Sequence, residues 1–274
     1  MYCFGDSSYG VGGWLYDGTS AGWIRQYPSG NAGRVSFDGS VDVMRSVGCG
    51  TVKAEIQPTD LSSNGGTDVQ RAQLYTSDQL LAQYGNHPSL DTQAGMTTWY
   101  GFAFSTNAGY QPFSGSSFPN WNTIFTWHPG GSAGGGTGLG VWTRDYNSSN
   151  CISGLKPFAD GAPHLGFSLD GGDPSVWPNS GSTCLRFAGP TFVPGHVYRV
   201  AMKVTWSSSN SGALQLWIDG TQYVDVNNVS TLFSGQGIYP LFENYRPYTT
   251  SLPTNDVFYG GLLKGASLSD VSVP

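Results

Sequence analysis

The segment that ends in His128 carries the residue types for proton-transfer chemistry. Residues 122–128 read Asn-Thr-Ile-Phe-Thr-Trp-His and predict a strand that stops at Pro129 and a run of glycines. Side chains alternate between the two faces of a strand. The face that ends in the imidazole is therefore expected to carry Asn122, Ile124, Thr126 and His128. An imidazole on a polar strand face is a candidate general acid or base.

Three further segments place polar or ionisable side chains on a single strand face. These are Arg71 with Gln73, Lys53 with Glu55 and Gln57, and Tyr239 with Leu241, Glu243 and Tyr245. Together with the strand at 122–128 they are the candidates for a functional site.

Short strands have to position these segments, because helix signals are nearly absent apart from residues 77–84. The pattern predicts strands at 51–57, 97–105, 122–128, 138–143, 163–169, 183–187, 197–207, 213–217, 221–226, 238–247 and 255–263. A turn is expected at 208–212, and a tight hairpin is expected at Asp219-Gly220. Strands at this spacing without helices between them indicate a sandwich or barrel. No repeat, linker or shift in composition divides residues 1–274, so a single domain is expected.

Glycine and serine dominate two long loops, 107–117 and 129–138, which are close in sequence to the strand at 122–128. Binding residues are commonly found on loops of this kind.

Composition and charge exclude several classes of function. The chain has 274 residues, of which 11% are charged and 14% aromatic, with a net charge of −6. A negative chain lacks the basic face that nucleic-acid phosphates require. No apolar run reaches the roughly 18 residues of a membrane span. No nucleic-acid or membrane partner is therefore expected.

The four cysteines indicate an oxidising compartment. None forms a Cys-x-x-Cys pair, so a zinc site is not expected. An even count favours two disulfides, with Cys3–Cys49 and Cys151–Cys184 preferred among the three pairings. Sequons at Asn147 and Asn228 add weak support for a secreted, extracellular protein. No signal peptide is visible, and a mature form with an added Met1 is expected.

The segments resemble, in chain order, the motifs of the jelly-roll polysaccharide lyases related to heparin lyase I, glucuronan lyase and alginate lyase. The matching stretches are Arg71-Ala72-Gln73-Leu74, Trp99-Tyr100-Gly101, Thr126-Trp127-His128, Lys203-Val204-Thr205-Trp206-Ser207, Trp217-Ile218-Asp219-Gly220 and 239–246. The resemblance covers residues 23–267. It implies an all-β, concanavalin A-like jelly-roll sandwich of two antiparallel sheets.

The departures from the family lie in its active-site motifs. Gln73 stands where the family has Glu, and Thr126 stands where many members have Gln. Leu241 replaces a Lys, and Glu243 replaces a Gly. The Arg, the His and both Tyr positions match the family pattern.

The resemblance implies β-elimination on a uronic acid polymer such as glucuronan or alginate. Arg71 would neutralise the substrate carboxylate, with Gln73 or Asn122 as hydrogen-bond donors. His128 and either Tyr239 or Tyr245 would transfer protons. The remaining candidates for substrate binding are Thr126, Glu243, Arg246 and Lys53.

No cofactor is expected to be required, although some relatives suggest a structural calcium ion. Its candidate oxygen ligands are Asp60, Asp68 and Asp256, which show no recognisable spacing. The chain is expected to act as a monomer on a polysaccharide substrate.

Two other functions use the same fold. A lectin-like domain that has lost catalysis would show substitutions such as those at Gln73, Thr126 and Leu241, with exposed Trp14, Trp23, Trp121 or Trp177 stacking on sugars. A glycoside hydrolase needs a pair of carboxylic acids. The chain has only two glutamates, Glu55 and Glu243, and no laminarinase-type motif, which makes a hydrolase the weaker alternative.

Overall fold

The computed structural model describes residues 2–3, 15–16, 23–38, 40–41, 43, 50–62, 65–75, 94–115, 122–129, 136–146, 151, 155–178 and 182–273. The helix expected at 77–84 and the pairing of Cys3 with Cys49 fall outside these residues. So do the first sequon and parts of both glycine- and serine-rich loops. Within the described ranges, no helix is long and apolar enough to cross a membrane.

Strands account for nearly all of the regular structure in the described ranges. In chain order they are β1 (Tyr2–Cys3), β2 (Leu15–Tyr16), β3 (Trp23–Gln26), β4 (Val35–Phe37), β5 (Val52–Ile56), β6 (Val69–Tyr75), β7 (Thr97–Thr106), β8 (Thr123–Pro129), β9 (Thr137–Trp142), β10 (Arg144–Tyr146), β11 (Leu155–Pro157), β12 (His164–Gly172), β13 (Ser182–Thr191), β14 (Tyr198–Thr205), β15 (Gly212–Ile218), β16 (Thr221–Val229), β17 (Ile238–Pro247), β18 (Asn255–Tyr259) and β19 (Gly261–Gly265). A 3₁₀ turn at Ala32–Arg34 precedes β4, and a short helix, α1 (Leu268–Val271), follows β19.

The strands form two large sheets and a small hairpin. The first sheet, here the back sheet, has the order β16-β15-β14-β7-β18-β5-β4, with β19 paired to β7 and β1 paired to β19. The second, here the groove sheet, has the order β13-β12-β9-β8-β17-β6-β3-β2. All described pairs are antiparallel except the short pair β2–β3. Strands β10 and β11 form the separate hairpin.

Aromatic side chains fill the space between the two sheets. Tyr100 and Phe102 of β7 contact Trp127 and Phe125 of β8, with ring centroids 4.6 Å apart in both pairs. Phe242 of β17 packs edge-on against Phe102 at 5.5 Å. These five side chains are at most 1% exposed. The expected two-sheet sandwich is therefore confirmed, and its core lies between the sheets.

The strand predictions are close to the observed bounds, with one clear error. The prediction at 238–247 coincides with β17, and the Asp219-Gly220 hairpin joins β15 to β16 with both residues at positive φ. The expected single strand at 255–263 is wrong, because the chain breaks at Gly260 into β18 and β19. Gly261 has a φ of +126°, which a side chain would disfavour, and both strands pair with β7.

The alternation expected along residues 122–128 is also wrong in its first half. A bulge between Thr123 and Phe125 places two residues of β8 opposite one step of β9. A bulge of this kind resets which side chains share a face. Ile124 consequently joins Phe125 in the core, and Thr123 points to the same face as Thr126 and His128.

Glycines let the indole of Trp142 lie flat on the groove sheet. A Cβ placed on Gly166 would come within 2.0 Å of two ring atoms of Trp142. The neighbouring β9 residues Gly138 and Gly140 have backbone oxygens of β8 and its preceding residue within 2.8 Å of their Cβ positions. A side chain at any of these three positions would therefore clash with Trp142 or with the backbone next to β9.

The first prediction concerns the disulfide. Cys151 and Cys184 are bonded, as expected from the sequence, and close a loop with a sequence separation of 33. Replacing both cysteines with serine should lower the free energy of unfolding by about 2–4 kcal/mol, because the unfolded chain gains entropy. Denaturant unfolding without reductant measures this difference. An unchanged midpoint would contradict the stabilising role.

The second prediction concerns the glycine beneath Trp142. Gly166→Ala should lower the free energy of unfolding by about 1–3 kcal/mol, since the indole must move to admit a methyl group. The matched control is Gly237→Ala, where an added Cβ meets no atom within 4 Å and φ is not positive. Equal stability of the two variants in urea would show that Trp142 relocates without cost.

Candidate functional site

Cross-strand pairing brings most of the predicted site residues to the outer face of the groove sheet. On one side of β17, Tyr245 pairs with Arg71 and Glu243 pairs with Gln73. On its other side, the pairs are Tyr245 with Thr123, Leu241 with Thr126, and Tyr239 with His128. Side chains paired across antiparallel strands lie about 5 Å apart. Three segments that are distant in sequence thus meet on one face because the sheet order places β17 between β6 and β8.

A groove with a volume of about 360 Å³ runs along this face. Its volume falls in the range of small-ligand sites. The lining residues at one end are Thr123, Thr126, His128, Glu243 and Tyr245. The floor is formed by the glycines of β9, and the far end carries Trp142, Tyr146, Asp170, Trp177 and Arg186.

His128 is held in one tautomer. Its Nδ1 lies 2.7 Å from the carbonyl oxygen of Pro129. A carbonyl only accepts, so Nδ1 carries the proton and the neutral ring keeps its lone pair on Nε2. Burial lowers the pKa of His128, and the charge of Arg71 lowers it further, against the opposing effect of the Pro129 hydrogen bond. The imidazole is therefore neutral at neutral pH.

Glu243 is a buried carboxyl group at the middle of the site. It is 3% exposed, and Thr126 Oγ1 donates to its Oε1 at 2.6 Å. Burial raises its pKa to about 7, although the Thr126 hydrogen bond and the Arg71 charge both lower it. Near neutral pH the group therefore exchanges between its acid and its carboxylate form.

The two candidate tyrosines occupy different positions. Tyr245 lines the groove, and burial raises its pKa, as does the nearby Glu243 charge, while Arg71 lowers it. The Tyr239 ring lies 5.2 Å from the His128 ring, centroid to centroid, and does not line the groove. Tyr245 is thus a phenol that keeps its proton beside the cavity.

Sequence reasoning missed the ion pair at the far end of the groove. Arg186 Nη1 lies 2.9 Å from Asp170 Oδ1, and Trp177 Nε1 donates to the same oxygen at 3.3 Å. The available signal was Arg186, a charged residue between the apolar Leu185 and Phe187 of the predicted strand at 183–187. Of the four tryptophans considered for sugar stacking, Trp177 lines the groove, while the side chains of the other three lie outside the described residues.

Arg71 and Gln73 pair with the groove residues Tyr245 and Glu243 but do not themselves line the groove. Three further predicted binding residues lie elsewhere. Asn122 is 1% exposed and bonds the backbone of Phe113 and Val141. Lys53 lies on the back sheet in an ion pair with Glu55 at 2.9 Å. Arg246 points away from the groove, where its Nε donates to Gln70 at 2.9 Å. Asn122 misses the groove because of the bulge in β8. Lys53 misses it because its strand belongs to the back sheet, and Arg246 misses it because alternation along β17 turns it away from the face of Tyr245.

The candidate calcium ligands do not fit a calcium ion. Both oxygens of Asp60 already accept hydrogen bonds from Arg34, at 2.8 and 3.0 Å. Asp60, Asp68 and Asp256 do not bring three ligand atoms together. In the described part of the chain the one such group is Cys151, Asp170 and Cys184, whose cysteines are joined as a disulfide. No chemical step is therefore assigned to calcium.

Several solved structures share this fold. The chain is similar to the endo-β-1,4-glucuronan lyase of the fungus Trichoderma reesei, with 18% identity, a TM-score of 0.58, and coverage of 93% of this chain and 98% of that one. It is also similar to alginate lyase A1-II′, a member of polysaccharide lyase family 7, at 12% identity and a TM-score of 0.52, covering 89% and 94%. Alginate lyase Aly36B matches at 15% identity and a TM-score of 0.50, covering 92% and 94%.

These likenesses establish the jelly-roll fold that the sequence predicted. No curated protein matches the chain in sequence. The sequence model of the polysaccharide lyase family matches residues 16–261, which is most of the chain. The match confirms the resemblance seen in the motifs and supports a lyase over the lectin and hydrolase alternatives. The protein therefore belongs to the polysaccharide lyase family.

Proposed function

We propose that this polysaccharide lyase cleaves a uronic-acid-containing polysaccharide, of the glucuronan or alginate kind, by β-elimination in the groove. The observation that carries the proposal is the meeting of Arg71, His128 and Tyr245 on one sheet face, where the Arg71 charge acts on both other side chains. The structural relatives named above are lyases of glucuronan and alginate, which favours a uronate as the substrate.

Arg71 addresses the main energetic obstacle of the reaction. The carbon that bears the uronate carboxylate is a very weak acid while that carboxylate keeps its full negative charge. A guanidinium that binds the carboxylate with two N–H groups offsets this charge. It also stabilises the enolate-like anion that forms when the proton leaves. Gln73, beside Glu243 on the same face, supplies a further amide donor to this part of the site.

His128 removes the proton in this mechanism. Its neutral ring carries the lone pair on Nε2, because Nδ1 donates to Pro129. The lowered pKa keeps this base unprotonated at neutral pH. The Pro129 hydrogen bond also fixes the plane of the ring, so the base is oriented before the substrate arrives.

Tyr245 protonates the leaving oxygen. Its raised pKa means that the phenol holds a proton that it can give as the carbon–oxygen bond breaks. The electron pair of the broken carbon–hydrogen bond forms the new carbon–carbon double bond, and the electron pair of the carbon–oxygen bond stays on the leaving oxygen. One proton moves to His128 and one leaves Tyr245, so no co-reactant is consumed. Tyr245 is preferred to Tyr239 because it lines the groove beside Arg71.

The family and the Cys151–Cys184 disulfide both agree with an extracellular protein. We propose further that the protein is secreted, because long uronate polymers lie outside the cells that digest them.

The third prediction tests the base. His128→Ala should reduce kcat/KM on a uronate polymer by about 10²–10⁴-fold, with unfolding unchanged, because the imidazole faces the groove rather than the core. Absorbance of the unsaturated product ends in the ultraviolet measures the rate. The matched control is His196→Ala, whose imidazole pairs with Asp219 outside the groove and should leave the rate unaltered. A fully active His128→Ala enzyme would remove His128 from the mechanism.

The fourth prediction separates the two tyrosines. Tyr245→Phe should lower kcat by about 10²-fold or more, since the leaving oxygen loses its acid. Tyr239→Phe should change kcat by less than about tenfold, because a phenyl ring keeps the contact with His128. The two variants are matched in chemistry and differ only in position. The opposite ranking would assign the acid to Tyr239 and contradict the role given to Tyr245.

A further inference from the structure

Glu243 places a carboxyl group where the family motif has none. Of the two glutamates in the chain, Glu55 lies on the back sheet and Glu243 lines the groove. In the family motif a glutamate stands at position 73 and a glycine at position 243. Here Gln73 and Glu243 are direct cross-strand partners. The carboxyl group has thus moved from β6 to the facing position on β17, at the centre of the site.

Among the described residues, the positive charge that acts on Glu243 comes from Arg71. In the described part of the chain, the titratable and charged side chains on the strands beside Glu243 are Arg71 on β6, His128 on β8, and Tyr239 and Tyr245 on β17 itself. Beneath the sheet, Tyr259 of β18 donates to the Glu243 backbone carbonyl at 2.6 Å. Further along the groove, Asp170 and Arg186 neutralise each other at 2.9 Å. His128 is neutral at neutral pH, so among the residues that the structure describes Arg71 is the cation whose charge acts on Glu243.

A uronate substrate adds a second carboxylate to the same site. Two carboxylates in a small, weakly solvated site do not both stay ionised, and the more deeply buried one takes up a proton. Glu243 is 3% exposed and already has a pKa near 7 without substrate. A protonated Glu243 carries no charge to offset, so the Arg71 guanidinium can bind the substrate carboxylate.

We propose that Glu243 acts in its neutral form and donates a hydrogen bond to the carboxylate of the bound uronate, next to Arg71. Many family members have a glutamine, a neutral amide donor, at the position of Thr126. A protonated Glu243 would take the role of that donor in this chain. The proton stays on Glu243 throughout the reaction, so the balance of the elimination is unaltered. This inference rests on the proposed lyase function and adds a substrate-contacting residue to it.

The proposal fixes the shape of the pH profile. Activity requires a neutral His128, which is lost on the acid side as that imidazole takes up a proton. It also requires a protonated Glu243, which is lost on the alkaline side as the carboxyl ionises near pH 7. Tyr245, with a pKa raised above its ordinary value of 10, ionises only at much higher pH. The profile of kcat/KM should therefore be a bell whose alkaline limb belongs to Glu243.

Glu243→Gln tests this directly, because glutamine is a neutral donor at every pH. With glucuronan or alginate as the probe, the variant should keep kcat/KM within about tenfold of the wild type at the acidic optimum. Its alkaline limb near pH 7 should disappear. The matched control Glu55→Gln removes the other glutamate, on the back sheet, and should reproduce the wild-type profile.

Thr126→Val gives a second test without altering Glu243. The Thr126 hydrogen bond lowers the pKa of Glu243, so its removal should raise that pKa and move the alkaline limb to higher pH. A shift of the alkaline limb to higher pH in the kcat/KM profile is the expected result.

The possible outcomes distinguish failure of the Glu243 role from failure of the proposed lyase function. A folded Glu243→Gln enzyme that is inactive at every pH, or one that keeps the wild-type alkaline limb, would overturn the role of Glu243 alone. An unshifted limb in Thr126→Val would do the same if Glu243→Gln failed to fold. A wild-type protein that releases no unsaturated ends from any uronate polymer would overturn the proposed function itself.

Discussion

Contact between the aromatic side chains of β7 and β8 is the constraint on which the rest of the structure depends. Phe102 against Phe125 and Tyr100 against Trp127 join the two sheets at centroid distances of 4.6 Å. Turning β8 over by one residue would expose two large rings, at a cost of about 1.5–3 kcal/mol for each. The burial of Phe125 and Trp127 therefore forces the alternate residues, including His128, to face the groove. The stability of the sandwich and the orientation of its candidate base have the same origin.

The groove combines a low floor with few charges. Gly138 and Gly140 line the cavity without side chains, and Gly166 lets the Trp142 indole lie close against the sheet. Along the groove face, burial together with the charges of Arg71 and Glu243 shifts the pKa values of His128, Glu243 and Tyr245. Chemistry on an anionic polymer needs both features, since the chain must enter and its charge must be offset.

Much of the fold follows from local sequence patterns. Alternating burial, the Asp219-Gly220 turn and the run of aromatic residues each act over a few positions, and the predicted strands lie close to the observed ones. The motifs around Arg71, His128 and the tyrosines identified the family because their spacing reflects the same sheet order. Cys151 and Cys184 followed from the even cysteine count and a preference for a local loop.

The tertiary structure decided which of these residues meet. The bulge in β8 directs the Asn122 side chain toward hydrogen bonds with the backbone and brings Thr123 to the groove. It arises because two residues of β8 stand opposite one step of β9 at this point. Lys53 belongs to the other sheet, and Arg246 faces inward on the same strand that presents Tyr245 outward. The sequence of a strand specifies which of its side chains would share a face if the strand were regular. It does not specify a bulge, a neighbour or a sheet, since those depend on hydrogen bonds and packing with strands far away in the chain.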